Sequence, residues 1–363
     1  MYSEIENLAK LIVEHSVEVK KGEKVLIEGD PTGTSLLHLY CHKEILKQGG
    51  IPIHKLIPGD CDYLNLVYGD ELQFQAMAED DKKTIETIDV LIGMQASINP
   101  RRADSVDPER IMMYNKANRI VREVVFRKLN EGKLRMVFVE YPINGMAQEH
   151  GMSLVEYEDH FCKACFLDEK DPLAEWKKLS EKQDRFIKFL DGKKTIHVEG
   201  ENTYLTFSVE AKEEKKWTSD DGKRYLPDGE VFTDHIVKDS VNGSVLFTYP
   251  GILGRSEIKD IKLEFKEGKL VTVNSSTEEK LLHDMLLTDE RKVFLSAFGI
   301  GTNYKINRFI GHMAFDEKIG GTIHLALRGS PMWSMWVLLT RMEKNDKIYA
   351  DNELFYDHRN FLI

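Results

Sequence analysis

Two segments in the second half of the chain carry side chains that could hold a cation. In LPDGEVFTDH (226–235), a Pro-Asp-Gly turn delivers Glu230 directly before the β-prone Val231-Phe232-Thr233. A carboxylate fixed at a strand start by a stiff turn suits metal ligation, which needs oxygens held in place. The same turn also suits a solvent-exposed glutamate in a hairpin. In LSAFGIGTNYKINRFIGHMAFDEKIGGTIHLAL (295–327), His324 stands in an alternating apolar strand over 322–327. A single histidine there is either a ligand or a satisfied core residue. His312 and Asp316-Glu317 lie near in sequence and could reach the same cleft, and His235 follows the Glu230 strand. The glycines of 299–303 allow close backbone packing and could present amides to a ligand. In the tail, Met332, Trp333, Met335 and Trp336 are soft and apolar, and so fill core or line an apolar pocket.

Cysteine offers less. Cys162 and Cys165 form a C-x-x-C beside His160, but nothing like the second half of a zinc site follows. The segment reads as helix, with Ser153 as cap and Glu156 three residues on. Four cysteines in 363 residues, Cys41 and Cys61 being the others, suit a reducing compartment.

The elements that must position these residues fall into two textures. Before residue 192, helix and strand patterns alternate. Short apolar strands are expected at 24–28, 51–56, 90–93 and 134–139, and helices at 35–48, from Asp107-Pro108 to about 129, and from Asp171-Pro172 to about 190. That order implies a mostly parallel sheet covered by helices. No strand is followed by a Gly-rich phosphate loop; GDPTGT (29–34) fits neither common fingerprint. After residue 192 the chain is strand-rich, with hairpins at 194–209 and 261–273 and one helix near 277–298. The expected organisation is an α/β domain over 1–192 and a strand-rich α+β domain over 193–363.

The bulk numbers exclude some classes. Fifty basic and 61 acidic residues give a formal charge of −11. Nucleic acid and anionic membrane both call for a basic surface, so neither is the expected partner. No apolar run reaches roughly 18 residues, and the first fifteen residues carry acids where a secretory signal needs bases. A cytoplasmic protein is expected.

Taken together, VKKGEKVLIEGD, NPRRADSVDPERI, YPINGMAQEHGMSLVEYED and DPLAEW in the first half, with PDGEVFT, FGIGTN and DEKIGGTIHLAL in the second, resemble the thermophilic-type metallo-aminopeptidases. The resemblance runs over nearly the whole chain. It implies a cytoplasmic homodimer that removes N-terminal residues from small peptides with two divalent metals, zinc or cobalt. Of the family's ligands, Glu230 and His324 match. Ala297 stands where a glutamate is usual, and Met335 and Val337 stand where a His-x-Asp is usual. His312, His235 or Asp316 could substitute. Catalytic zinc normally keeps three protein ligands, so two alone would leave a weakened site. Two functions follow: a metal-dependent aminopeptidase with reduced metal chemistry, or a repurposed protein that handles another small molecule in an apolar cavity. A ring-opening dioxygenase lineage on the same scaffold shows that the fold can change reaction.

Overall fold

The computed structural model describes residues 2–201, 203–210, 216–254, 256–287, 293–329, 335–357 and 360–362. The chain divides into two compact units, Met1–Glu175 with Gly222–Pro227, and Trp176–Asp221 with Asp228–Ile363. Met332 and Trp333, expected to fill core, lie outside the described residues.

The first unit is built on a five-stranded parallel sheet, in the order Ile51–Leu56, Lys24–Gly29, Val90–Gln95, Arg135–Glu140, Tyr225–Leu226. The apolar run from Val90 to Met94 is buried throughout, as a parallel strand covered on both faces requires. GDPTGT opens a helix. The Asp30 carboxylate accepts the Thr32 N–H at 2.9 Å and Pro31 takes the first helical position, so the helix runs Pro31–Lys47 and begins ahead of its apolar periodicity. The helix from Pro108 breaks at Asn118, whose side-chain amide donates to the Tyr114 carbonyl at 3.0 Å. Ser153 and Glu156 form a reciprocal cap on the helix Leu154–Ala164; Cys162 lies within it, Cys165 just past its end, and both are free thiols.

The second unit is antiparallel. One sheet has eight strands; the other has five, ordered Trp336–Arg341, Thr322–Arg328, Phe294–Gly301, Glu230–Thr233, Thr218–Asp220. One apolar core draws on both sheets. Ile196, Phe207, Val245 and Leu263 come from the larger, and Val231, Phe298, Ile323 and Leu325 from the smaller, with Phe186 and Leu190 of the helix Pro172–Leu190. The hairpin Lys262–Lys266 to Lys269–Asn274 turns on Glu267 and Gly268, both at positive φ, 48° and 71°. Among the described residues of 277–298, the expected helix is the short one Glu279–Leu286, and Phe294–Gly301 is instead a central strand. Gly299 and Gly301 weaken a helix there, while Leu295, Phe298 and Ile300 bury against the core as strand residues.

Candidate metal centre

The five-stranded sheet sets the site by register. Gly301 pairs with Glu230, and Glu230 pairs in turn with Asp220 on the far side. Two residues along, Gly299 pairs with His324. His324 and Glu230 therefore stand on strands separated by one intervening strand, which puts their backbones roughly 10 Å apart. Their side chains nevertheless meet, with Nε2 of His324 2.8 Å from a Glu230 carboxylate oxygen. Glycine makes this possible. A Cβ on Gly299 would sit 2.1 Å from Nε2 of His324, so the imidazole lies across the space that a side chain on the middle strand would take.

The turn that carries Glu230 is clamped by the 299–303 segment. Gly229 sits at φ 131° with its Cα against Asn303, where a Cβ would come within 2.6 Å of the Asn303 Cβ. The Thr302 N–H donates to the Gly229 carbonyl at 2.8 Å, and the Asn303 side-chain amide donates to the Asp228 carbonyl at 2.8 Å. The Asn303 N–H donates to the Lys318 carbonyl at 3.0 Å, which ties in the following loop. Gln183 donates to the Thr302 hydroxyl at 2.9 Å and to the Asp220 carbonyl at 3.0 Å. These amides bond protein groups, so the segment acts as a brace.

Charge inside the site is concentrated. Glu230, His324 and Lys318 are each 4% exposed and Asp228 is fully buried. The Lys318 ammonium donates to Glu230 and, at 3.1 Å, to Glu317. Burial by itself would push the Glu230 carboxyl up. The ammonium of Lys318 and the imidazole of His324 outweigh it and hold Glu230 ionised, well below the usual carboxylate range. Burial works against the Lys318 charge too, and Glu230, Glu317, Asp228 and Asp220 together overcome it and raise Lys318. His324 is raised by Glu230 against its own burial. Asp228 is pushed well above its ordinary value, first by burial and then by Asp220 beside it.

Among the described residues, one donor atom each of Glu230, Glu317 and His324 lies within 4.8 Å of the others, and Asp220, Asp228 and Glu230 form a second such group sharing Glu230. Glu230 is thus neither solvent-exposed nor isolated. The other candidates lie elsewhere. The Asp316 carboxylate is buried and accepts the Ile310 N–H at 2.9 Å, and burial pushes its carboxyl up to about 7. His312 caps the short helix Met313–Asp316, its Nδ1 accepting the Ala314 N–H at 3.2 Å. His235 stands beyond the strand, 3.5 Å from Asp234. Of the neighbouring pair Asp316-Glu317, it is Glu317 that reaches Lys318 and the cluster. Asp220 and Lys318 were not legible as site residues. Ala297 and Val337 both pair with Ala326, so the three form a small apolar row on the His324 face, and Met335 is exposed at the strand's entry.

The site is an acid and imidazole cluster around one ammonium, on an antiparallel sheet in a chain whose first unit is parallel α/β. The family model described as thermophilic metalloprotease (M29) matches residues 1–335, and the chain belongs to that family. Aminopeptidase 2 of Geobacillus stearothermophilus is 29% identical over 211 residues, 53% of this chain and 50% of that protein. Aminopeptidase AmpS of Bacillus subtilis is 25% identical over 55% of this chain and 52% of its own length. The chain thus spans about half the length of these two relatives. Aminopeptidase PepS of Streptococcus thermophilus is 22% identical over 78% of this chain and 73% of its own. Wild-type AmpT from Thermus thermophilus shares the fold, with a TM-score of 0.76, 16% identity and 99% of both chains covered. A 2,5-dihydroxypyridine dioxygenase from Pseudomonas putida KT2440 shares it more loosely, at a TM-score of 0.57 and 11% identity, covering 99% of this chain and 96% of that one. No helix among the described residues is long and apolar enough to cross a membrane.

Proposed function

We propose that this chain is a metal-dependent aminopeptidase that removes N-terminal residues from small peptides, working with one divalent cation, zinc or cobalt, held by Glu230, Glu317 and His324. The observation that carries this reading is the approach of one donor atom from each of these residues to within 4.8 Å of the others. Two oxygens and an imidazole nitrogen are a donor set that catalytic zinc accepts, with a further position open. A cation so held would polarise a peptide carbonyl and lower the pKa of a bound water. The chain's own part is to fix the donors. Gly299 lets His324 reach Glu230, and the Asn303 and Thr302 brace holds the turn that presents Glu230. Lys318 keeps Glu230 ionised, and a cation would take the place of its ammonium there. One cation is proposed because Ala297 and Val337 bring no donor to the face where a second would bind, and because Asp228 is held toward its neutral form. The protein is proposed to act as a cytoplasmic homodimer.

A second reading has one specific observation in its favour: Lys318 already supplies a cation to Glu230 and Glu317. On that reading the cluster is a metal-free polar core, and the site beside Ala297, Ala326 and Val337 takes another small molecule. Metal content and turnover of aminoacyl-nitroanilides with added cobalt or zinc separate the two. The aminopeptidase reading expects one metal equivalent that is lost, together with turnover, in Glu230→Ala and in His324→Gln. Two equivalents lost in Glu230→Ala would replace the single-metal site by a dinuclear one. No equivalent lost and no turnover would leave the second reading.

A further inference from the structure

The first unit holds a second cluster of ligating side chains, remote in sequence from the one above. His38 and His42 stand four residues apart on the helix Pro31–Lys47, which places them on one face, one turn apart. His54 reaches them from the strand Ile51–Leu56. Nδ1 of His38 is 3.4 Å from Nδ1 of His54, and Nδ1 of His42 is 2.9 Å from Nε2 of the same ring. The ring centroids of His54 and its two neighbours lie 5.6 and 5.2 Å apart. The two helix histidines thus face opposite nitrogens of the His54 ring, which must turn before one of its nitrogens can meet both.

Two features set this apart from a chance meeting of surface histidines. His38 is 4% exposed, and its Nε2 is buried with no hydrogen-bond partner. The nitrogen that faces His54 is Nδ1, so the buried ring is held with that nitrogen toward the other two imidazoles. The spacing also suits a metal. Two imidazole nitrogens bound to one tetrahedral zinc, each at about 2.0–2.1 Å, lie about 3.3 Å from one another. The His38–His54 pair already has that separation. His54 is exposed, so its ring is free to tilt until a single nitrogen faces both helix histidines.

We propose that His38, His42 and His54 form a binding site for a borderline divalent cation such as zinc, copper or nickel, with water completing the coordination. Imidazole donors without carboxylate select this class over magnesium or calcium. The site is independent of Glu230 and His324, and its role is to bind a cation that ties the helix Pro31–Lys47 to the strand Ile51–Leu56.

The test uses tag-free, chelator-stripped full-length protein and zinc alone, titrated by calorimetry. One equivalent is expected to persist in His324→Gln. It is expected to weaken by more than about tenfold in His54→Gln and in His42→Gln, at least the cost of losing an outer-shell partner. Both substitutions are at solvent-accessible positions, so the fold is preserved, and unchanged circular dichroism verifies it. Equal zinc affinity in His42→Gln, His54→Gln and the parent would overturn the site. So would binding no tighter than about 1 mM in the His324→Gln background. A parent that binds this equivalent but shows none that Glu230→Ala removes would sink the aminopeptidase reading alone.

Discussion

The two units each gather titratable side chains, and they manage the charge in opposite ways. In the second unit, Glu230, Glu317, Asp220 and Asp228 surround one ammonium, and Lys318 offsets their mutual repulsion from within. In the first unit, three imidazoles face one another, and burial first, then His54, drive the His38 ring down to about 4. The acid cluster is stabilised by staying charged. His38 and His54 are stabilised by staying neutral. A cation at the acid cluster would have to displace the Lys318 ammonium and the proton favoured on His324, whereas neutral imidazoles already carry free lone pairs.

The largest effect should come from removing the countercharge. Lys318→Met leaves buried carboxylates without their partner, and such a loss costs about 3–5 kcal/mol. Urea unfolding with chelator should show that loss, and zinc should restore more stability to the variant than it adds to the parent. A variant as stable as the parent in chelator would erase the contrast between the two clusters.

Next comes acid. The depressed His38 means that the unfolded chain binds the proton more readily than the folded one. Stability is then unaffected above about pH 6.5 and falls as pH drops toward 4, by up to about 3 kcal/mol in metal-free protein. Unfolding free energies at pH 7 and pH 4.5 measure it, and His54→Gln should flatten the slope by removing the facing imidazole. A slope unchanged in His38→Gln would assign the acid sensitivity to other groups.

Gly299→Ala tests how the acid cluster is assembled. The new methyl group would press on the His324 ring, at a cost of about 1–3 kcal/mol. It should also weaken the Glu230-dependent metal equivalent while leaving the His54-dependent one intact. The smallest effect is expected from Asn303→Ala, which removes the buried hydrogen bond to the Asp228 carbonyl and the one its Oδ1 accepts from the Lys305 N–H, and should cost about 1–2 kcal/mol. Thermal melts of the two variants, compared in order, check both.

Much of the architecture is local and therefore readable along the chain. Asp-Pro caps at 107–108 and 171–172, the Ser153–Glu156 cap and the Glu267-Gly268 turn each depend on neighbours a few residues away, and each forms where its sequence places it. Glu230 at a strand start and His324 in a strand were readable for the same reason. The misread element, 277–298, contains an apolar run whose periodicity suits helix or strand, and only burial against the second sheet chose.

What the residues could not state alone was which of them meet. Asp220 and Glu230 share a site because they are register partners, and His324 and Glu230 share it because Gly299 on the strand between them leaves the space open. Lys318 lies inside a run, Asp-Glu-Lys, that looks like a solvated surface turn until the Asn303 bond to its carbonyl draws the loop inward. His38 and His42 announce one helix face, but His54 joins them only through the packing of that helix on the sheet. Residue type and short spacing fix which side chains can donate; sheet register and the absence of a side chain at Gly299 fix where the lone pairs converge, because those depend on chain segments far apart in sequence.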